Sequence, residues 1–123
     1  MRTLTIGVED DATFRSRIMA IADRLDAGQG YQGEFYTFPS LTLLFDTFNP
    51  RRLELLRKLQ SIGPTSLRGL ARALQRDVKR VHEDVSVLLE KGVIERDATK
   101  RLTLPYDRIH VDVEMTAPAT AAE

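Results

Sequence analysis

The sequence predicts an α+β fold in which three helices lead into a β-hairpin, and three observations indicate it. Apolar residues recur at helical spacing in three successive stretches between residues 49 and 92. Two short strand-like runs, 93–96 and 101–104, follow directly and are joined by four residues. Residues 50–101 carry 13 Lys and Arg against 7 Asp and Glu, whereas both ends of the chain are acidic. A basic middle between acidic ends is typical of a module that binds a polyanion.

Length and composition limit the class of protein. A chain of 123 residues has room for one domain of ordinary size. No apolar run approaches the roughly 18 residues of a membrane-spanning helix, and the N-terminus leads directly into acidic residues rather than into a signal peptide. The sequence contains no cysteine, which excludes disulfides, thiolate nucleophiles and cysteine-based zinc sites. We therefore expect a cytoplasmic protein without a membrane partner.

The N-terminal segment 1–48 is predicted to be an extension of the main domain. Alternation of apolar and small residues over 3–8 indicates a strand, and a helix is expected to start at Asp10 or Asp11. A second strand at Glu34–Phe38 and a short helix capped by Ser40 follow. Residues 31–48 hold six of the eight aromatic residues, so this block either joins the extension to the next domain or forms an interface. We interpret 1–48 as a dimerisation or partner-binding segment.

The middle of the chain contains three helix starts with capping residues. Asn49 precedes Pro50 at the first helix, Ser66 precedes the second and Asp77 precedes the third, which ends at Gly92. Three helices followed by a hairpin predict a winged helix-turn-helix over 49–115. The domain would end in a strand at 109–115, and the tail 116–123 is expected to be disordered.

The two outer strands of the prediction lack neighbours in sequence. The strand at 3–8 and the strand at 109–115 each have one apolar face. Unpaired strands promote aggregation, so we expect these two to pair with each other, either within one chain or between two. The combined apolar surface of 1–48 and the last strand predicts a homodimer.

In a winged helix-turn-helix the third helix enters the major groove of DNA. At 100° per residue, Lys79, Arg80 and Glu83 point away from the apolar side of this helix, with His82 and Ser86 at the margins and Arg76 before its start. Glu83 either pairs with a neighbouring cation or accepts a hydrogen bond from cytosine. Further contacts to DNA are predicted at the start of the second helix and at the hairpin: Ser66, Arg68, Arg96, Lys100 and Arg101.

Three runs carry a resemblance to a known family: 49–56, 66–74 and 76–85, the last of which contains RDVKRVHEDV. They resemble the MarR-like winged-helix regulators of archaea and bacteria. The resemblance implies a DNA-binding transcriptional regulator, and some members are antitoxins paired with toxins of the TumE type. Two positions differ from the family pattern, because Gly69 stands where Glu is common and Gln75 where glycine is usual.

Catalysis has little support in the sequence. The two histidines, His82 and His110, belong to different elements, and no cysteine could share a metal with them. Consecutive carboxylates at 9–11 are explained by a helix cap. We therefore expect neither an enzyme nor a cofactor. The predicted function is an autorepressor of its own operon that binds double-stranded DNA; the alternative is an antitoxin that neutralises a toxin protein through its N-terminal region.

Overall fold

The computed structural model describes residues 2–28, 33–115 and 117. Over these residues the protein is a mixed α+β molecule. Its helices are α1 (Asp11–Asp26), α2 (Leu41–Thr47), α3 (Pro50–Ile62), α4 (Leu67–Leu74) and α5 (Val78–Glu90). Its strands are β1 (Thr3–Val8), β2 (Glu34–Phe38), β3 (Glu95–Arg96), β4 (Leu102–Thr103) and β5 (Arg108–Asp112). Gly30 and Tyr31 of the predicted turn, and all of the predicted tail 116–123 except Ala117, lie outside the described residues.

The chain divides into two compact units. The helical unit comprises Met1–Arg2 and Phe45–Arg108, and the sheet unit comprises Thr3–Leu44 and Ile109–Glu123. The sequence prediction grouped the last strand with 49–115. In the structure this strand falls mostly in the sheet unit, because β5 lies next to β1.

The sheet unit contains a three-stranded sheet in the order β2-β1-β5. β1 and β2 are parallel, with the register running from Leu4 opposite Glu34 to Val8 opposite Phe38. The predicted pairing of the two terminal strands is confirmed, and it forms within one chain. A Cβ on Gly7 would lie 3.0 Å from the carbonyl oxygen of Asp112, so the close approach of β5 favours glycine at this position.

Helix α1 begins where the sequence predicts, since the Asp10 carboxylate accepts a hydrogen bond from the Thr13 amide at 2.7 Å. No residue of α1 is buried, although its apolar residues recur at helical spacing. The exposed apolar side chains of this helix are Phe14, Ile18, Met19 and Leu25. α1 contacts β2 through Arg17, whose guanidinium lies 4.1 Å from the Phe35 ring centroid.

Arg17 also links α1 to Glu9, the residue that follows β1. Its guanidinium donates to both carboxylate oxygens of Glu9, with the shortest distance 2.5 Å. This hydrogen bond and the positive charge hold the pKa of Glu9 below its usual value, although partial burial opposes the shift. Arg17 thus gives α1 a polar contact with the sheet unit, and Ala20 and Ile21 beside it are half-buried.

The aromatic side chains of the block 31–48 differ in burial. Phe38 and Phe48 are buried, whereas Phe35 and Phe45 are exposed. The block therefore supplies core residues and surface residues together, and neither of the two sequence interpretations describes all of it.

The helical unit begins with the predicted caps. Asn49 accepts a hydrogen bond from the Arg52 amide at 2.9 Å, and Ser66 accepts one from Gly69 at 3.0 Å. Asp77 accepts from the amides of the first turn of α5 at 3.1 and 3.3 Å. The buried residues of α3 are Leu55, Leu56 and Leu59, whereas Leu53 is half-buried.

The hairpin β3–β4 is antiparallel, with Glu95 opposite Thr103 and Arg96 opposite Leu102. It is shorter than predicted. Thr65, in the connection between α3 and α4, forms two backbone hydrogen bonds with Leu102 of 2.7 and 3.1 Å. This bridge adds a third extended segment to the hairpin, and the sequence analysis did not anticipate it.

The turn between α4 and α5 places Gln75 in the left-handed region, with φ 54° and ψ 45°. A residue with a Cβ is strained there, and glycine is not. Gln75→Gly should therefore raise the free energy of unfolding by about 1 kcal/mol. Urea denaturation checks this, with Glu54→Gly in the exposed part of α3 as the control, which should lower stability by about 1 kcal/mol. If both substitutions lower the free energy of unfolding, the contacts of the Gln75 side chain stabilise the fold by more than its left-handed backbone conformation destabilises it.

Candidate nucleic-acid interface

The outward side of α5 carries five of the predicted DNA contacts. The buried residues of this helix are Val81, Asp84, Val85 and Leu88. The five contacts are all exposed: Lys79, Arg80, His82, Glu83 and Ser86. The helical spacing therefore predicted the two sides of α5 correctly.

Glu83 forms no ion pair with any residue that the structure describes, although Lys79 and Arg80 precede it on the same helix. The interpretation of Glu83 as a partner of these cations is therefore not supported. Its exposed carboxylate retains its capacity to accept hydrogen bonds.

The N-terminus of α4 lies after the Thr65 bridge to the hairpin. Ser66 and Arg68 are both exposed, and the Ser66 hydroxyl accepts from the amide of Gly69. A Cβ on Gly69 would overlap Thr65 Oγ1 and would lie 3.2 Å from Ser66 Oγ. The absence of the glutamate that is common at this position thus has a local reason, because the side chain of Thr65, four residues earlier, lies where the Cβ of a larger residue would be.

Arg76, predicted as a DNA contact, pairs with a carboxylate of its own chain. Its Nη2 donates to Asp84 Oδ2 at 2.8 Å, while Arg52 Nε donates to Oδ1 of the same carboxylate at 3.0 Å. Arg52 also donates to the carbonyls of Asp46 and Thr47. The network joins α3, the α4–α5 turn and α5.

Asp84 is a residue whose role the sequence analysis missed. Its side chain is only 7% exposed. Burial raises the pKa of this carboxyl, but the hydrogen bonds and charges of Arg76 and Arg52 outweigh burial, and the net pKa lies below the usual value. The signal was present in the sequence, since Asp84 occupies a position of the apolar stripe between Val81 and Val85. A buried acid at such a position requires a partner of opposite charge.

The hairpin tip is held by Asp97, which accepts hydrogen bonds from the amides of Thr99 and Arg101, each at 2.9 Å. These backbone bonds lower the pKa of Asp97 from its usual value, and the charge of Arg101 adds to the effect. The Arg101 guanidinium also donates to Asp97 at 3.0 Å, and Arg96 donates to the carbonyl of Lys100. Lys100 is exposed and has no ion pair with the described residues. Lys100 is therefore the most available cation of the tip.

A surface groove of about 590 Å³ lies between α3 and the α4–α5 turn. Its lining is mixed in charge, with Arg51 and Lys58 opposite in sign to Glu54. The groove lies wholly within the helical unit and was not predicted. The described part of the chain contains no group of three or more side chains that could hold a metal ion. No described helix is long and apolar enough to cross a membrane.

Comparison with known proteins identifies a family. Residues 47–111, more than half of the chain, match the model of the HVO_A0114 family, and the protein belongs to that family. The matched region covers α3, α4, α5, the hairpin and most of β5. No curated protein and no solved structure matches the chain.

Proposed function

We propose that the protein is a transcriptional regulator that binds double-stranded DNA through its helical unit, and that it represses its own operon. The observation that carries the proposal is the exposed side of α5, where Lys79 and Arg80 stand without an ion-pair partner among the described residues. The order α3, Thr65 bridge, α4, α5, β3, β4 supports a winged helix-turn-helix of the MarR-like kind.

In this proposal α5 enters the major groove. Its 13 residues give a helix of about 20 Å. Lys79 and Arg80 would bind guanine O6 and N7 or phosphates. Because Glu83 has no ion-pair partner among the described residues, its carboxylate would accept a hydrogen bond from a cytosine amino group. It would disfavour bases that offer only acceptors. Ser86 and His82 lie on the same exposed side and would make further contacts.

Contacts to the DNA backbone would position the helix. The N-terminus of α4 offers amide groups and Arg68 to a phosphate, and the Ser66 hydroxyl retains its own proton as a donor. Lys100 and Arg101 at the hairpin tip would meet the backbone or the minor groove. Such contacts give affinity without sequence preference.

The experiment that tests the proposal measures binding to the DNA upstream of the protein's own gene and to unrelated DNA of equal length, each at several salt concentrations. The expected result is tighter binding to the upstream DNA together with a steep salt dependence. Equal affinity for both DNAs at every salt concentration would contradict a sequence-specific regulator.

The tip of the β3–β4 hairpin gives a prediction about the salt dependence of DNA binding. Lys100→Gln should weaken binding to both DNAs alike and reduce the slope of log affinity against log salt by about 0.9. Arg101→Gln should reduce it less, because that guanidinium already pairs with Asp97. Lys91→Gln, an exposed cation outside the hairpin, is the matched control and should leave the slope unchanged. A loss of affinity confined to one DNA sequence would mean that the tip reads bases.

The regulator is proposed to be a homodimer that uses the sheet unit. Ten of the twelve large apolar side chains that are exposed in the described chain belong to this unit. Dimerisation would cover part of this surface and would set two copies of α5 about 34 Å apart, one turn of DNA.

A second function is favoured by α1. Its exposed apolar residues Phe14, Ile18 and Leu25 recur at helical spacing without a covering element. A partner protein, such as the toxin of an operon pair, would bind this side of the helix. Co-expression with the product of the neighbouring gene tests this, because a stable complex lost on Ile18→Asp would support an antitoxin.

A further inference from the structure

The sheet of the sheet unit ends in an open edge. β5 has β1 on one side, and no described strand lies on its other side. The Asp112 carbonyl faces Gly7 of β1, as the 3.0 Å spacing to a Cβ there requires. Because backbone groups alternate along a strand, those of Ile109 and Val111 face the open edge, and the same alternation continued past the end of β5 would place Val113 with them. Val111 and Val113 are also exposed, by 41% and 37%.

We propose that β5 of a second copy of this chain pairs antiparallel with this edge, with Val111 opposite Val111 of the second copy. The pairing would join two sheets into one of six strands. The inference rests on the proposed dimer, whose interface it narrows to one strand and one register. A two-fold axis would pass between the two Val111 residues, as a symmetric dimer requires.

The sequence of β5 together with the two residues after it, 108–114, is complementary to itself in this register. Around Val111, Arg108 stands opposite Glu114 of the second copy, and His110 stands opposite Asp112. Ile109 stands opposite Val113. Each polar residue therefore faces an opposite charge or a donor, and each apolar residue faces another. Within one chain these four polar side chains form no ion pair among the described residues, so they are available for the second copy.

Neighbouring registers are less favourable. Displacing the centre to Asp112 sets two carboxylates directly opposite each other, which is destabilising. Displacing it to His110 sets two imidazoles opposite each other and leaves Glu114 without its arginine. A shift of the pairing by one residue would place apolar side chains opposite polar ones, because successive side chains point to opposite faces.

A cysteine at position 111 tests the register directly, since the chain contains no other cysteine. In the proposed pairing the two Cα atoms at 111 are about 5.5 Å apart, within the range that a disulfide spans. Mild oxidation of Val111→Cys should give a covalent dimer of twice 13.9 kDa in high yield. Val113→Cys is the matched control, because its counterpart in the second copy lies four residues away along the strand, about 13 Å.

Equal cross-linking of the two cysteine variants would overturn the register. Absence of cross-linking in Val111→Cys, at a concentration where light scattering gives a dimer, would overturn the interface itself. A monomer of 13.9 kDa for the unmodified protein would do the same. These failures are separate from failure of the proposed function, because DNA binding is measured on the same samples. A cross-linked dimer that binds no DNA would keep the interface and reject the regulator.

Charge reversal gives an independent check. Arg108→Glu should weaken the dimer at least tenfold, because it sets two glutamates opposite each other at both ends of the interface. Adding Glu114→Arg to the same chain restores opposite charges in the proposed register and should recover the dimer. If the double variant dissociates as readily as the single one, Arg108 and Glu114 do not face each other.

Discussion

Asp84→Ala is expected to lower the free energy of unfolding by about 3 kcal/mol, because it leaves two arginines without the carboxylate that they share. Both arginine side chains are mostly covered, at 16% and 21% exposed, so water cannot fully replace the lost partner. The substitution would also leave a cavity beside Val81 and Val85. Few exposed contacts of this protein carry an effect of that size.

Urea unfolding followed by circular dichroism measures this effect. Glu90→Ala removes an exposed acid from the same helix and should change stability by less than about 0.5 kcal/mol. If the two variants are equally stable, the network that joins Arg52, Asp84 and Arg76 does not hold the helices together.

The pH dependence of stability provides a second measurement on Asp84. Its pKa in the folded protein lies below the ordinary value of 3.8, so its ionised form stabilises the fold. That contribution is complete above the unfolded pKa and is lost as the pH falls below about 4 toward the folded pKa. The stability difference between the unmodified protein and Asp84→Asn should therefore narrow as the pH decreases through this range. A difference independent of pH would mean that the carboxylate charge is not involved.

Lys79→Ala combined with Arg80→Ala is expected to abolish sequence-specific DNA binding. A good contact to a base contributes about 1 to 3 kcal/mol, so loss of two such contacts lowers affinity by about a hundredfold or more. The fold should persist, because Asp77 caps α5 through the backbone amides of these residues and not through their side chains. The measurement is a gel shift with the upstream DNA, after thermal unfolding has confirmed the stability of the variant.

The matched control is Arg57→Ala with Lys58→Ala, which removes the same charge from α3 of the same unit. If these cations act only through non-specific electrostatic attraction, both double variants should lose the same DNA affinity. If Lys79 and Arg80 recognise bases, the α5 variant should lose more affinity than the α3 variant. Unchanged binding by the α5 variant would reject α5 as the recognition helix.

The sequence predicted the helix starts of this protein because they depend on short-range chemistry. Asn49, Ser66 and Asp77 each accept a hydrogen bond from an amide two or three residues ahead, so a short segment contains the whole interaction. The exposed side of α5 was predictable for a similar reason, since the helical period places Lys79 and Arg80 opposite Val85.

The exposure of α1 could not be predicted, because burial of a helix requires an apolar surface elsewhere in the folded chain to pack against. The same periodicity that identified a buried side on α5 gave exposed residues on α1, where the sheet presents Phe35 to the Arg17 guanidinium. A pattern of apolar residues indicates which side of a helix can be buried. Whether a surface exists to bury it is a property of the tertiary structure.

The candidate site likewise depends partly on local sequence and partly on the tertiary structure. Residue types and spacing determined that Lys79, Arg80 and Arg76 belong to one short segment and carry positive charge. Only the fold decided that Asp84 pairs with both Arg76 and Arg52 while Lys79 and Arg80 stay exposed. Asp84 lies 32 residues from Arg52, and Thr65 reaches Leu102 across α4 and α5. Such pairings depend on how helices pack in three dimensions, and the local chemistry of a single sequence determines caps and helical faces but not these partners.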